Sequence, residues 1–376
     1  PQVDATCTED GLTQGTYCST CGEWLVPQET IPALGHAYGD WSTTPATCTQ
    51  DGERTRVCSR CEAVDREVLY ASGHDYVDGY CSVCGERKPT EGLNYYSFGT
   101  TCIVSSYSGS DENVYIPATY EGIPVMGVRS NAFLNNTTIK SIEFDPTCEK
   151  FWYISDYAFY GCSNLTSITI PAVTEIGESA FEMCTGLTSV TFPSDGSLKT
   201  IGKDAFRNCF LLTTLVIPDS VTSIGAGAFF GLGSLTSLTM PFVGAKANVA
   251  SDEAKYPLGY IFGINKYTGA TKVMQSYRRE DGNWISAEYY IPTSLTTIIL
   301  TNCTTIGNYA FTGCTMLTTV TIPAEVTVIY DRAFYDCSGL TDIYFLGTRA
   351  QWEDVEKYGS WDQYTGSYTV HCSDDQ

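Results

Sequence analysis

Residues 163–184 read SNLTSITIPAVTEIGESAFEMC, and this stretch decides the fold because related copies follow it along the chain. The copies at residues 185–209, 210–232, 294–314 and 315–337 each keep an apolar strand followed by an Ala-Phe pair. The phenylalanine of that pair recurs at intervals of 22 to 26 residues, at Phe133, Phe159, Phe181, Phe206 and Phe229, and recurs again at Phe311 and Phe334. A fixed period of this length predicts a solenoid in which each repeat forms one coil.

The residues of one repeat describe the shape of one coil. We expect Leu165, Ile168 and Ile170 to point inward while the intervening Ser and Thr side chains face out, as in a strand with one buried face. Pro171 ends the strand because it has no N–H group to donate. Residues 179–181 suit a single helical or 3₁₀ turn, in which the alanine lets coils approach and the phenylalanine fills the interior.

Five cysteines occupy one position of the repeat, close to the turn into the next coil. They are Cys162, Cys184, Cys209, Cys314 and Cys337. We expect them to stack as a ladder of half-buried thiols that pack as small apolar groups. A disulfide would have to join adjacent coils, and nothing in the spacing demands one.

These repeats resemble the BspA-like, Treponema-type leucine-rich repeats of bacterial surface proteins, over roughly residues 92–372. The resemblance implies a β-rich leucine-rich-repeat solenoid of stacked short strands with short helical or 3₁₀ turns. It also implies an exported protein of the bacterial cell surface that is used for adhesion or for binding host or matrix proteins.

The solenoid is expected to fill residues 91–376, with modified coils at three places. Residues 91–128 suit a starting hairpin, and residues 345–376 suit a closing cap with Trp352 and Trp361 as lids, since a solenoid must cover its apolar ends. Residues 241–292 enlarge one repeat, and we expect a β-hairpin excursion there and not a separate domain.

Residues 1–90 form a separate region of tandem Cys/His repeats, divided as 1–38, 39–76 and a partial unit at 77–90. Each full unit contains ATC, then a CxxC pair, then Gly-His. The expected zinc ligands are Cys7, Cys18, Cys21 and His36 in the first unit, and Cys48, Cys58, Cys61 and His74 in the second. Four sulfur and nitrogen ligands suit tetrahedral Zn²⁺. A unit of about 35 residues needs stabilisation by a metal ion or a similar cross-link, because it cannot bury enough apolar area to fold alone. The sequence therefore predicts two small zinc-ribbon-like modules with structural zinc.

Alternative pairings remain open in this region. The cysteines could form disulfides in an oxidising environment, although an odd total of 17 cysteines excludes complete pairing within one chain. His36 could also act together with the following unit, and Cys81 and Cys84 are possible further ligands because Cys58–Cys61 and Cys81–Cys84 have zinc-ribbon spacing. The region resembles the GH…ATC…CxxCG repeats of surface proteins from Gram-positive anaerobes.

Composition excludes several functions. The formal net charge is −22, which repels phosphate backbones and anionic lipid, so nucleic-acid binding is not expected. No apolar run is long enough to span a bilayer, and the sequence resembles a mature or trimmed form without a signal peptide. Phosphate-loop, HExxH, GxSxG and EF-hand motifs are missing, and His371 is the only histidine outside the expected metal sites.

The sequence therefore favours a non-catalytic protein that binds an extracellular protein or glycan ligand. Two alternatives are a carbohydrate-active or proteolytic enzyme with a cryptic site and a passive surface stalk. The mixture of Tyr, Trp and Arg in the enlarged repeat is typical of binding hot spots, and the strand ribbon offers outward polar and aromatic side chains. The candidate binding residues are Tyr256, Tyr267, Tyr277, Arg278, Arg279 and Trp284 in the enlarged repeat, with Thr297, Ile299, Thr321 and Tyr344 on the ribbon.

Overall fold

The computed structural model describes residues 1–148, 151–246, 257–278 and 282–375. The chain divides into two compact units, Pro1–Lys88 and Pro89–Gln376. The first unit contains the Cys/His repeats, and the second contains the solenoid.

The first unit consists of short antiparallel strands joined by turns. The strands described within it are β1 (Gly11–Leu12), β2 (Thr16–Tyr17), β3 (Trp24–Val26), β4 (Thr30–Ile31), β5 (Ser42–Thr44), β6 (Gly52–Val57), β7 (Val64–Leu69), β8 (Tyr76–Val77) and β9 (Tyr80–Cys81). β1 pairs with β4, β2 with β3 and β8 with β9, while β5, β6 and β7 form a three-stranded sheet. Within residues 1–88, all of which are described, the only side chains with a buried apolar surface belong to Cys7, Cys48, Cys58 and Cys81.

The second unit is a β-solenoid of about 11 turns with very little helix, so the predicted fold class is confirmed. Its first half contains β10 (Leu93–Ser97), β11 (Cys102–Tyr107), β12 (Asn113–Ile116), β13 (Thr119–Tyr120), β14 (Ile123–Val128), β15 (Ser141–Phe144), β16 (Tyr153–Ile154), β17 (Ser167–Thr169), β18 (Glu175–Ile176), β19 (Ser189–Thr191), β20 (Thr200–Ile201), β21 (Thr214–Val216), β22 (Ser223–Ile224) and β23 (Ser237–Met240). Its second half contains α1 (Gly259–Phe262), β24 (Ala270–Arg278), β25 (Trp284–Pro292), β26 (Thr297–Leu300), β27 (Thr305–Ile306), β28 (Thr319–Ile322), β29 (Val328–Ile329), β30 (Asp342–Phe345), α2 (Arg349–Asp354), β31 (Glu356–Lys357) and β32 (Thr369–Cys372).

Each regular coil contributes one strand to a first ribbon of parallel strands. This ribbon runs through β12, β15, β17 and β19, and then through β21, β23, β26, β28, β30 and β32. Strands of adjacent coils are in register, so that Ile168 lies beside Ile142 on one side and Val190 on the other. Leu165, Ile168 and Ile170 are buried, as the alternation in the sequence predicts.

The Ile-Gly segment of each repeat forms a second parallel ribbon, which contains two-residue strands such as β18, β20 and β22. The isoleucine is buried, as Ile176 shows. The glycine that follows lets neighbouring coils come close, because a Cβ at Gly177 would lie 2.5 Å from the backbone nitrogen of Asp156. Glycine is therefore required by the stacking distance at this position.

The repeated phenylalanines form a stack through the interior of the solenoid. The ring centroids of Phe159, Phe181 and Phe206 follow one another at 5.1 and 5.2 Å with nearly parallel planes. Phe262, from α1 in the enlarged repeat, is fully buried and lies 6.4 Å from Phe229. The enlarged repeat thus still contributes one phenylalanine to the shared core.

The Ala-Phe segment differs from the helical or 3₁₀ turn expected at residues 179–181. Ser179 and Met183 have positive φ angles of 52° and 62°, which interrupt any helix. The N–H groups of Ser179, Phe181 and Met183 donate to carbonyl oxygens of the next coil at 2.8 to 2.9 Å. The turn is therefore stabilised by hydrogen bonds between coils, because its N–H groups point along the solenoid axis.

The repeated cysteines are fully buried, whereas half-buried thiols were expected. The Cys184 Sγ donates to the backbone oxygen of Phe159 at 3.2 Å, and the Cys209 Sγ donates to that of Phe181 at the same distance. All 17 cysteines of the chain are free thiols. The ladder thus satisfies one carbonyl per coil in addition to filling space.

The enlarged repeat projects a long antiparallel hairpin, β24–β25, in which nine residue pairs from Ala270–Pro292 to Arg278–Trp284 are in register. Its inner side is anchored by the fully buried side chain of Gln275. The Gln275 Oε1 accepts from the Gly259 N–H at 2.8 Å, and its Nε2 donates to the Thr312 carbonyl at 2.9 Å. This amide ties the hairpin to α1 and to the following coil.

Both ends of the solenoid are covered. At the start, β10 pairs antiparallel with β11, which in turn lies parallel to β14. At the other end, α2 begins with a capping box formed by Thr348 and Gln351, and Trp352 packs against Phe345 and Trp361. Neither helix of the described residues could cross a membrane, since the longer one has six residues.

Candidate metal centres and binding surface

Two groups of cysteine and histidine side chains lie in the first unit. The first Cys/His group contains Cys7, His36, Cys58 and Cys61, and the second contains Cys48, His74, Cys81 and Cys84. Within each group the candidate ligand atoms all lie within 4.8 Å of one another. Each group therefore takes a Cys and a His from one unit and a CxxC pair from the next.

This grouping corrects the within-unit ligand sets expected from the sequence. Cys18 and Cys21 lie in neither group, while Cys81 and Cys84 complete the second. The reason is the antiparallel pairing of β5 with β6, which carries the segment after His36 along the strand that leads to Cys58. Tyr38 forms an isolated bridge with Cys58, so His36 is held beside the following CxxC pair and away from its own.

The distances within both groups fit a tetrahedral metal ion. Ligands at about 2.3 Å from Zn²⁺ place two sulfurs about 3.8 Å apart. The Sγ atoms of Cys7 and Cys58 are 3.8 Å apart, and those of Cys48 and Cys81 are 3.7 Å apart. The Nδ1 of His36 lies 3.3 Å from the Cys61 Sγ. Three sulfurs and one imidazole nitrogen at this spacing are a typical structural zinc donor set.

The protonation of the thiols also favours a cation. Burial alone raises the pKa of the Cys58 thiol, but hydrogen bonds from the backbone of Arg60, from His36 and from the backbone of Ala37 lower it to about 5. Burial and the neighbouring Cys61 and Cys58 instead raise the pKa of Cys7 to about 11. The group thus holds one thiolate readily and resists further negative charge, which a divalent cation would compensate.

The second group shows the same arrangement. The backbone N–H of Cys84 is the largest factor that lowers the pKa of Cys81, to about 6. Burial raises the pKa of Cys48 to about 11. The Nε2 of His74 lies 3.4 Å from a carboxylate oxygen of Glu86, which orients the ring so that its Nδ1 faces the Cys84 Sγ at 3.4 Å. A carboxylate behind a ligating histidine is a common outer contact of metal sites.

The binding residues expected in the enlarged repeat lie in different environments. Tyr277 and Arg278 lie near the end of β24, and Trp284, about half exposed, contacts the ring of Tyr309 at 5.3 Å. Tyr267 is mostly buried, and its ring packs edge-on against Phe230, which gives it a structural role. Tyr256 and Arg279 lie outside the described residues.

The ribbon residues form a continuous row along the parallel strands. Ile299 of β26 lies beside Thr321 of β28, which lies beside Tyr344 of β30, and Tyr344 lies beside His371 of β32. Tyr344 and His371 stack with ring centroids 4.6 Å apart. Thr297 belongs to the adjacent row of the same ribbon. Hairpin and ribbon are therefore two candidate surfaces, since the hairpin is anchored to α1 at Gly259 and to the Ala-Phe turn at Thr312.

A cavity of about 590 Å³, which the sequence did not predict, lies between the hairpin and the turns of the preceding coils. Its lining includes Lys203, Arg207, Phe230, Tyr260, Tyr277 and Tyr289. The Arg207 guanidinium lies 4.2 Å above the Phe230 ring and also pairs with Asp204 and Glu182. Aromatic walls with a few oriented charges are typical of ligand sites.

The chain matches the family model described as BspA type leucine rich repeat region, in six copies over residues 126–248 and 283–355. The matched residues make up more than half of the chain. The chain belongs to the BspA-type leucine-rich repeat family. Membership of this family is consistent with protein binding, and the predicted resemblance is confirmed.

Three solved bacterial structures illustrate the likeness in fold. A leucine rich cell surface protein from Faecalibacterium prausnitzii is 19% identical, with 72% of this chain and 97% of that chain covered and a TM-score of 0.36. A leucine-rich repeat protein from Bacteroides ovatus is 22% identical, with coverages of 75% and 77% and a TM-score of 0.37. The leucine rich repeat protein of T. pallidum is 20% identical, with coverages of 74% and 91% and a TM-score of 0.33. No curated protein sequence matches the chain significantly.

Proposed function

We propose that this protein is a non-catalytic binding protein of a bacterial surface. It holds an extracellular protein or glycan through its solenoid, and its first unit carries zinc in the two Cys/His groups. Membership of the BspA-type family supports the binding role.

The observation that carries the binding role is the cavity beside the hairpin. The hairpin is an insertion that the regular coils do not need, yet Gln275 fixes it firmly against the solenoid. Tyr277 and Tyr289 face the cavity from the hairpin, while Lys203 and Arg207 face it from the coils. Both cations of this recess are paired with acidic side chains, Lys203 with Glu178 and Arg207 with Asp204 and Glu182. The partly apolar recess with aromatic walls therefore suits an aromatic or apolar group of a protein or glycan ligand better than an anionic group.

The ribbon supplies a second contact surface. Its rows of Thr, Ile and Tyr side chains are extended and regular, as in other solenoids whose stacked repeats bind along one face. Exposed Tyr344 is the largest side chain in the row described above. A long ligand could therefore contact the ribbon while a shorter group occupies the cavity.

The histidines support the absence of catalysis. His36 and His74 belong to the Cys/His groups, and the Nε2 of His371 lies 2.7 Å from a carboxylate oxygen of Asp342 on the ribbon. Each of the three histidines is thus part of a structural contact. A serine or cysteine nucleophile would have only His371 available as a histidine base.

The test measures binding of the full chain to soluble mucin and to matrix proteins by biolayer interferometry. Tyr277→Ser, inside the cavity, should weaken binding by roughly 30-fold, as for a loss of about 2 kcal/mol at a hot spot. Met274→Ser on the exposed side of the same strand is the matched control and should leave binding unchanged.

The other functions give different results in the same assay. Equal binding by both variants would move the site to the ribbon, where Tyr344→Ser should then weaken it. A chain that binds none of these probes would act as a passive stalk. If the chain cleaves a protein or glycan and substitution of a single carboxylate abolishes that cleavage, the protein is an enzyme and the proposed non-catalytic function is wrong.

A further inference from the structure

A third CxxC turn in the first unit has the same backbone as the two that complete the Cys/His groups. In the turn at Cys18, the Gly22 N–H donates to the Cys18 carbonyl at 3.0 Å. The same bond joins Glu62 to Cys58 and Gly85 to Cys81, in both cases at 2.9 Å. In all three turns the residue after the second cysteine has a positive φ, between 61° and 81°. The three turns are thus shaped alike to present two thiols.

The residues that complete a group come from the unit before the CxxC turn. We call a Cys and a His of one unit, such as Cys7 with His36, a donor half. Cys7 and His36 serve the turn at Cys58, and Cys48 and His74 serve the turn at Cys81. Residues 1–88 thus contain two donor halves and three turns, and the turn at Cys18 is the one that neither donor half serves.

The surroundings of the three turns reflect this difference. In the two served turns the first cysteine is buried, and its Sγ lies against the donor cysteine. The segment after the donor histidine also contacts each served turn, since the Ser59 N–H donates to Ala37 and the Ser82 N–H donates to Asp75. Cys18, by contrast, is only partly buried, whereas the second cysteine of the turn is exposed in all three cases.

The strand that follows the donor histidine His36 has a counterpart at the first turn. β5 leads from the His36 segment along β6, and its Thr44 pairs with Glu53. In the first unit Val3 forms the matching bridge with Leu12. A donor histidine placed before Cys18 as His36 is placed before Cys58 would therefore approach the Cys18 turn along the line of residues 1–3.

We propose that Cys18 and Cys21 form half of a third zinc site, which takes one cysteine and one histidine from another unit of the same type. The partner is a Cys/His unit with a donor half of its own to offer. A second copy of this chain does not qualify, because both of its donor halves are already used. The inference rests on zinc occupancy of the two complete groups. The free pair of thiols at Cys18 and Cys21 is then the place at which a further Cys/His unit can join the units of residues 1–88.

The experiment compares the full chain with a chain extended by a second copy of residues 1–41 joined directly before Pro1, in which the two cysteines of the copy's own CxxC turn are changed to Ser so that only the original Cys18 and Cys21 are followed. This copy places its donor cysteine and histidine at the same distances from Cys18 as Cys7 and His36 have from Cys58, to within one residue. Zinc per chain is measured by mass spectrometry of the native protein. Accessible thiols are identified by alkylation of the zinc-loaded protein and peptide mapping.

The original chain should bind two zinc ions, and Cys18 and Cys21 should be alkylated. The extended chain should bind three, with Cys18 and Cys21 now protected. The control is the extended chain in which the donor cysteine and histidine of the added copy are both changed to Ala. It should return to two ions and to alkylated Cys18 and Cys21.

Two results would overturn the proposal while leaving zinc in the complete groups. One is an extended chain that still binds only two ions with Cys18 alkylated. The other is an original chain that forms a dimer with five zinc ions, two in the complete groups of each chain and one shared by the two Cys18–Cys21 pairs, since that site would need no donor half. Absence of zinc from both chains would overturn the occupancy of the complete groups together with this inference.

Discussion

Residues 1–88 and the solenoid are both built from short strands, but different side chains lie between those strands. In the solenoid each of the coils at residues 163–184, 185–209 and 210–232 buries a phenylalanine, at least one leucine and one to three isoleucines in a shared core. In residues 1–88 the buried side chains are four cysteines, each of which belongs to a Cys/His group. The exposed side chains there include Trp24 and Leu25, which in a larger domain would form a core.

The difference shows two ways to stabilise repeated units that are too small to fold alone. A solenoid coil obtains its buried surface from its neighbours, so stability grows with each added coil. If zinc fills the Cys/His groups as proposed, a Cys/His unit obtains its stability from ligands that it shares with its neighbour through the metal ion. In both cases the stability of a unit depends on its neighbour. Only stabilisation through shared metal ligands also depends on the oxidation state of the thiols and on the supply of metal.

The largest expected effect is the loss of the first unit on removal of zinc. Metal ligation can contribute on the order of 10 kcal/mol of apparent folding free energy, and residues 1–88 have no apolar core to replace it. A strong chelator, or Cys58→Ser, should make the first unit susceptible to proteolysis and collapse its amide NMR dispersion. The solenoid should keep its thermal transition, as followed by calorimetry.

Cys21→Ser provides the matched control, because it removes a CxxC thiol that lies in neither group. It should leave two zinc ions bound and the first unit protected. A first unit that survives chelation unchanged would show that metal does not stabilise it. A solenoid that unfolds together with the first unit would show that the two units are not stabilised independently.

The partners in the Cys/His groups could not be predicted from sequence spacing alone. Cys7 is closer in sequence to Cys18 than to Cys58, and proximity favours the within-unit set. The pairing of β5 with β6 decides otherwise, and the pairing of a strand as short as the three residues of β5 leaves little trace in the sequence. One signal was available: Cys81 and Cys84 have no Cys or His donor within their own partial unit, so they can be served only from the unit before.

The solenoid was more predictable because its period is repeated many times. The spacing of Phe159, Phe181 and Phe206 determines the coil length and the interior row. The Ala-Phe turn was mistaken for a helical turn because its residues have no strong helix-breaking character. A hint lay in the position two residues after the phenylalanine, where Asn208 and Gly231 suit a positive φ. The cavity arises where the insertion meets regular coils, and no periodic pattern describes it.

A smaller effect is expected from the loss of one ring in the phenylalanine stack. Phe206 is fully buried, 5.2 Å from Phe181, so Phe206→Ala should lower the free energy of unfolding by about 3–5 kcal/mol. Phe210→Ala is the control, since Phe210 in the next turn is 46% exposed and should change stability by less than about 1 kcal/mol. Urea denaturation followed by circular dichroism measures both. Similar losses for the two variants would mean that the stack contributes no more than surface packing does.

The smallest of the three effects concerns the attachment of the hairpin to the solenoid. Gln275→Ala removes an amide that satisfies the Gly259 N–H and the Thr312 carbonyl, and the two buried groups left unpaired should reduce stability by about 1–3 kcal/mol. The loss should be local, because the phenylalanine stack and both ribbons remain intact. Hydrogen exchange should therefore accelerate in residues 270–278 and 284–292 while residues 163–184 keep their protection. Met274→Ala, on the exposed side of the same strand, should leave both segments unchanged. If Gln275→Ala instead lowers protection evenly along the solenoid, the hairpin is part of the shared core and not an appendage fastened to it, and the cavity beside it would then be as rigid as the coils themselves.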